Sequence, residues 1–102
     1  MKLHEPATFW TDCALALWSA GLGGALARHA PSPCPETLGW WIGGFATSAL
    51  AAAAGAVHHG LGHTLPPSAN RLCWHLALLS LVATGLCLIQ VAATTALIGT
   101  VL

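Results

Sequence analysis

The side chains in this sequence that could carry out chemistry are six histidines and three acidic residues. His59 and His63 stand four positions apart, a spacing that places two imidazoles on one face of a continuous helix. Two imidazoles one helical turn apart can bind the same metal ion, as in other His-x-x-x-His sites. His58 points about 100° away around such a helix and is a poorer partner. The spacing therefore predicts that His59 and His63 contribute to a metal site.

A metal site of this kind needs more than two ligands, and His75 and Asp12 are the candidates for the third. Zinc in a catalytic site takes three protein ligands and a water, which titrates near neutral pH and becomes a nucleophile. Asp12 is also the candidate catalytic residue, because an ionisable group within a membrane helix usually faces a bundle interior or a wet cavity. The predicted zinc ligands are therefore His59, His63, His75 and Asp12. The alternative is that these histidines only hydrogen-bond lipid head groups and loop carbonyls.

The helices that would position these residues can be located because the sequence contains few charged residues. Only 6% of the residues are charged and the mean hydropathy is +0.72, whereas a soluble domain carries about a quarter charged residues. After Asp12 the charged side chains are Arg28, Glu36 and Arg71. The stretches 13–27, 37–70 and 72–102 are each long enough, or nearly so, to cross a bilayer as helix. The sequence therefore predicts an all-α integral membrane protein with lipid as its partner, and its zero net charge gives no sign of nucleic-acid binding.

The prolines suggest where the helices begin and end. Pro6 is favoured in the first turn of a helix, and the prolines at 31, 33 and 35 cannot continue one. We predict three transmembrane helices at about 6–28, 37–60 and 71–102, with loops at about 29–36 and 61–70. Ser68 or Asn70 is the predicted cap of the third helix. Trp10, Trp40, Trp41 and Trp74 fall near the predicted helix starts, where interfacial aromatics are expected.

The third apolar stretch is long and ends without a polar tail. As one helix, residues 72–102 would extend about 46 Å, more than a bilayer core of about 30 Å. We expect either a strongly tilted helix or a bend near 90–95, where a fourth segment begins. The abrupt end also leads us to expect an N-terminal piece of a longer membrane protein.

Three crossings would bring distant polar residues to one membrane face. The start of the first helix, the end of the second and the start of the third would share it. The residues predicted there are His4, Glu5, Asp12, His58, His59, His63 and His75. Lys2 and Arg71 would lie on that side and Arg28 on the other, which favours a cytoplasmic N-terminus. We expect the membrane to be the bacterial inner (plasma) membrane.

Small residues mark the second helix as a packing element. Gly39 and Gly43 form a Gly-x-x-x-Gly pair. A narrow face further along comprises Ser48, Ala52, Gly55 and Ala56. Such faces let helices approach closely in lipid. We interpret this face as packing within the bundle, although self-association and further helices of a longer chain are also candidate partners.

The order of the polar residues resembles a family of membrane hydrolases. An acid early in the first helix, followed by Gly55-x-x-x-His59 late in the second, is similar to the CREST superfamily, which includes the alkaline ceramidases and the progestin and adiponectin receptors. The resemblance implies a seven-helix fold, bound zinc with His59 as one ligand, and hydrolysis of amide or ester bonds in lipids. This chain has Gly55 where the ceramidases have serine, and it lacks their late His-x-x-x-His pair, so it would be a bacterial relative or an N-terminal piece.

Three functions are therefore open from the sequence. The first is a metal-dependent, lipid-directed hydrolase, or part of one, built on the Asp12–histidine set. The second is a structural or assembly module of the membrane without catalysis, held by small-residue packing. The third is a haem-binding or proton-relay protein, in which His59 and His75 hold haem or histidines pass protons.

Overall fold

The computed structural model describes residues 3–101. Lys2, which entered the orientation argument, and Leu102, the predicted end of the third helix, lie outside this range. The helices are α1 (Pro6–His29), α2 (Glu36–Leu61) and α3 (Pro67–Val101), with a short 3₁₀ helix at Gly62–Thr64. No strand occurs within the described range. The predicted all-α, three-helix fold is confirmed.

The second helix is the centre of the structure. It packs along both α1 and α3, whereas α1 and α3 make almost no direct contact with each other. Short connections make each pair of neighbours antiparallel: Gly23 of α1 lies against Phe45, while Asp12, nearer the start of α1, lies against Gly55. Two outer helices on one central helix leave a groove between them, with α2 as its floor.

The interface of α2 is built from small side chains. Its buried residues are Gly44, Ala51, Ala52, Ala54, Gly55, Ala56 and Gly60. A Cβ added at Gly23 of α1 would lie 3.0 Å from the Cβ of Phe45, so these two helices approach as closely as glycine allows. The two glycines of the Gly-x-x-x-Gly pair do not both pack against another helix. Gly43 lies against the sulfur of Cys87, whereas Gly39 faces open space.

Two pairs of threonines join α2 to α3. Thr47 and Thr84 share a hydrogen bond of 2.7 Å between their hydroxyls, and Thr37 donates one of 2.8 Å to Thr94. Thr94 in turn donates to the carbonyl of Gln90 on its own helix. Hydroxyl pairs of this kind contribute about 0.6 kcal/mol each between membrane helices. The two pairs fix the register of the helices between Thr37 and Thr47 of α2 and between Thr84 and Thr94 of α3.

The second connection and the third helix differ from the prediction. Pro67 begins α3 four residues before the expected start, and the first helical hydrogen bond runs from the amide of Asn70 to the carbonyl of Pro66. The helix therefore starts from proline geometry rather than from a cap by Ser68 or Asn70. It then runs without a break through residues 90–95, so within the described range no fourth segment begins there.

Two helices are long and apolar enough to cross a membrane, Glu36–Thr64 with its 3₁₀ turn and Pro67–Gly99. The described part of α1 falls short of the same standard, because every 18-residue stretch of it includes Asp12. Only 17% of the apolar window of α3 is buried. A core helix of a soluble protein would be mostly buried, and α3 is not.

Candidate functional site

Hydrogen bonds join the segment before α1 to the end of α2. The amide of His4 donates a 3.1 Å hydrogen bond to the carbonyl of Gly60, and Nδ1 of His59 lies 3.0 Å from a carboxylate oxygen of Glu5. The rings of His4 and His63 lie 5.7 Å apart. Phe9, one turn into α1, lies directly over Gly60, where the absent side chain leaves room for the ring. These contacts place Glu5 and His59 at one end of the bundle.

The start of α3 meets the same end of α2. Nδ1 of His58 lies 2.8 Å from the side-chain oxygen of Asn70, and the ring of His58 lies 4.8 Å from that of Trp74. Trp74 is also 6.3 Å from the ring of His59, in an edge-to-face arrangement. Since an amide oxygen only accepts hydrogen bonds, His58 carries its proton on Nδ1. Trp74 and Asn70 thereby fix the two histidine rings from the side of α3.

The hydrogen bond from His59 lowers the pKa of Glu5 below its ordinary value of 4.5. Positive charge on His59, His4 and His58 acts in the same direction, and partial loss of water acts against it. Because its pKa is lowered, the ionised carboxylate of Glu5 stabilises the packing of the segment before α1 on α2 at every pH above the ordinary pKa. That contribution is lost as the pH falls through the lowered pKa.

We expect the titration of Glu5 to show this coupling. In a carboxyl ¹³C NMR titration of the protein in detergent, the midpoint of Glu5 should lie below 4.5 and should move upward in His59→Ala, because the hydrogen-bond donor is gone. His29→Ala, at the other end of α1, is the matched control and should leave the midpoint in place. An unchanged midpoint in His59→Ala would contradict the role given to that hydrogen bond.

A cavity of about 310 Å³ opens beside this pair, in the groove between α1 and α3. Asp12 of α1, His59 of α2 and Trp74 of α3 lie on its walls, and small residues of α2 form its floor. A Cβ added at Gly55 would lie 3.1 Å from a carboxylate oxygen of Asp12. Glycine at position 55 thus lets the carboxylate lie against the backbone of α2, one helical turn before His59.

The predicted metal ligands are only partly brought together. Asp12 and His59 share the cavity, but α2 ends at Leu61, so the continuous helix that would align His63 with His59 is absent. His63 lies in the 3₁₀ helix beside His4, and His75 is exposed on α3. Among residues 3–101, no three His, Cys, Asp or Glu side chains are placed to hold one ion. The four-residue ligand set stays a prediction.

Two participants were missed by reasoning from the sequence. Glu5 was placed on the correct face without a role, because its partner His59 is far away in sequence and neither residue has a motif. Trp74 was expected to mark an interface, yet it stands on the cavity wall. Its position immediately before His75 gave no sign of this, since the orientation of α3 depends on a helix start that was predicted four residues too late.

No curated protein and no solved structure matches this chain. A family does match, over residues 7–101, from the first turn of α1 to the end of α3. The matched range contains Asp12, His59 and Trp74, and it begins just after Glu5. The chain belongs to this family, DUF6962, a family of unknown function.

Proposed function

We propose that this chain is an integral membrane protein in which His59, held by Glu5 and sharing a cavity with Asp12, binds and passes protons at one end of the bundle. The observation that carries the proposal is the 3.0 Å contact between Nδ1 of His59 and Glu5, on a ring that also lines the Asp12 cavity. Histidine is the side chain whose charge changes most readily near neutral pH.

The membrane location rests on the surface of the helices. Many large apolar side chains are exposed along α1 and α3, among them Leu17 at 76%, Leu79 at 69% and Ile89 at 62%. Water-soluble monomers rarely expose contiguous apolar surface on this scale. The two membrane-length helices are α2 and α3. We therefore propose lipid as the partner of the outer helix faces, since helices satisfy their own backbone groups in a bilayer; the bacterial inner (plasma) membrane stays the expectation from the sequence.

The Glu5–His59 pair has the arrangement of an oriented proton acceptor. A carboxylate that accepts from Nδ1–H holds the proton on that nitrogen, which leaves the lone pair of Nε2 free to take another. The carboxylate of Glu5 lies 3.0 Å from the ring that takes this proton. Because Asp12 lies against Gly55, one turn from His59, it provides the second protonation site of the cavity.

Proton transfer through this cavity requires no other reactant. A protonated Asp12 gives its proton, through cavity water, to Nε2 of His59, and Asp12 becomes a carboxylate. The imidazolium then releases the proton at the open end of the bundle and returns to its neutral form. Asp12 then takes up a proton from the water of the cavity, so that each cycle passes one proton and returns both side chains to their starting states.

The metal-dependent hydrolase suggested by the CREST resemblance needs a fuller ligand set than these residues form. His59 and Asp12 would be two ligands, but within the described range no third His, Cys, Asp or Glu joins them. A catalytic zinc takes three protein ligands. The residues described do not fit zinc, so we derive no step through a metal. Among the described residues no contact favours haem binding. The small-residue packing of α2 is as expected for a structural module, and the flux experiment below separates that module from proton transfer.

Proton flux into proteoliposomes would test the proposal. The purified chain, reconstituted with a pH-sensitive dye inside and a potassium diffusion potential across the membrane, should acidify the lumen faster than empty vesicles. His59→Ala and Asp12→Asn should each slow this flux by at least about tenfold, since positioned proton-transfer groups contribute that much or more.

The matched control is His29→Ala, which removes an exposed histidine at the far end of α1. That variant should conduct like the parent protein. Flux no faster than in empty vesicles, or equal flux in His59→Ala and the parent, would refute the proposal.

A further inference from the structure

We infer that the Asp12 cavity is a binding site for an organic cation, a small aromatic or alkyl ammonium. The inference goes beyond proton transfer and shares only Asp12 and its cavity with it. It rests on three properties of the cavity, namely a carboxylate without a partner, an aromatic wall and an apolar lining of suitable size.

The first property is the unmatched charge of Asp12. Among residues 3–101, no hydrogen bond or ion pair reaches its carboxylate. Neither Arg28 nor Arg71 lines the cavity, and the one ionisable neighbour there, His59, has its Nδ1 engaged by Glu5. A carboxylate partly withdrawn from water into an apolar groove is costly unless a cation accompanies it. The cavity thus has a vacant position for one positive charge.

The second property is the ring of Trp74. It lies on the α3 side of the cavity, and Asp12 lies on the α1 side. Tryptophan has the most favourable ring face for a cation, and quaternary ammonium groups are recognised in this way. A cation between the carboxylate and the indole would contact both.

The third property is the apolar remainder of the cavity. Leu15 and Leu81 stand at its sides, and Ala51, Ala52 and Gly55 form its floor. Its volume of about 310 Å³ is at the lower end of the range for small-molecule sites. An apolar lining of this size favours a cation that carries hydrocarbon, such as a benzyl or short alkyl group, over a hydrated metal ion.

Calorimetry on the full chain in lipid nanodiscs would test the inference. The probe is benzyltrimethylammonium, titrated at pH 8 without any gradient, and its anionic counterpart is benzylsulfonate. We expect one equivalent of the cation to bind and the anion not to bind. Asp12→Asn, which keeps the shape of the side chain, should weaken cation binding by about tenfold or more, since it removes the only charge that the ligand meets. Glu36→Gln, at the far end of α2, should bind like the parent.

A second variant tests the site independently, in case Asp12→Asn does not fold. Trp74→Leu should weaken cation binding by about threefold or more through loss of the ring face. The inference is overturned if the parent does not bind the cation, if the anion binds equally well, or if neither variant changes the affinity. Cation binding retained in His59→Ala, together with unaltered proton flux in that variant, would refute proton transfer while supporting this site.

Discussion

Replacing Gly60 with leucine is expected to destabilise the fold by about 2–3 kcal/mol, at the upper end of the usual cost of overpacking. A Cβ at this position would lie 2.8 Å from Cγ of Phe9 and nearer still to another ring carbon. The ring also packs edge-on against Trp10 with 5.0 Å between centroids, so moving it away from a new side chain would disturb that contact as well. The substitution should therefore separate the start of α1 from the end of α2. The midpoint of unfolding in detergent mixtures with increasing dodecyl sulfate measures the effect.

The matched control for this substitution is Gly85→Leu. A Cβ at Gly85 meets nothing within 4 Å, so leucine there should be neutral or slightly stabilising through its better helix propensity. Phe9→Ala in the Gly60→Leu background should restore part of the loss, because it removes the clashing ring. Equal midpoints for the two leucine variants would show that the start of α1 is not packed on Gly60.

The number and type of the helices could be predicted because the evidence for them is local. Pro6 begins α1, and the prolines at 31, 33 and 35 separate it from α2, as expected from the fixed backbone angle of proline. The absence of charge over long stretches predicted apolar helices. Two of the three helices reach membrane length.

The boundaries around the second connection could not be predicted in the same way. The second helix was predicted to end at about residue 60 and does end at Leu61, but a 3₁₀ turn follows instead of a long loop. Pro67 can occupy the first turn of a helix as readily as it can sit in a loop. Sequence offers no criterion between these two uses, and the choice depends on how α3 packs against α2.

The candidate site depended on pairings that span the chain. The Glu5–His59 hydrogen bond joins the residue just before α1 to one near the end of α2, and the antiparallel packing of α1 on α2 brings the two together. His59 and His63, which the spacing paired, are separated by a change of helix type at Leu61. Spacing predicts a shared face only while the helix continues, so after Leu61 the spacing alone no longer places His63 beside His59.

The glycines of α2 combine packing with the shape of the cavity. Gly55 admits the carboxylate of Asp12, and Gly60 admits the ring of Phe9. Larger residues at these positions would move α1 away from α2, and the Glu5–His59 hydrogen bond would be lost with it. The small-residue face predicted as a packing surface thus also determines where the titratable groups lie relative to each other.

Replacing Val82 with arginine is expected to reduce membrane insertion of α3 about a hundredfold. Val82 lies near the middle of α3 with 61% of its surface exposed. An arginine at the centre of a membrane helix costs about 3 kcal/mol, and 1.4 kcal/mol corresponds to a factor of ten. The same substitution on a surface facing water would change stability by only about 0.5 kcal/mol. Insertion of α3 itself, as distinct from that of α2, is measured by the side of the membrane on which a tag added after residue 102 is accessible.

Leu72→Arg is the control that separates depth from charge. Leu72 is as exposed as Val82, at 69%, but it lies in the second turn of α3 beside the natural Arg71. An arginine there can extend its charged end to the head groups, so insertion should stay close to that of the parent. Equal insertion of Val82→Arg and Leu72→Arg would mean that lipid does not surround the middle of α3, and the proton pathway proposed above would then have no membrane to cross.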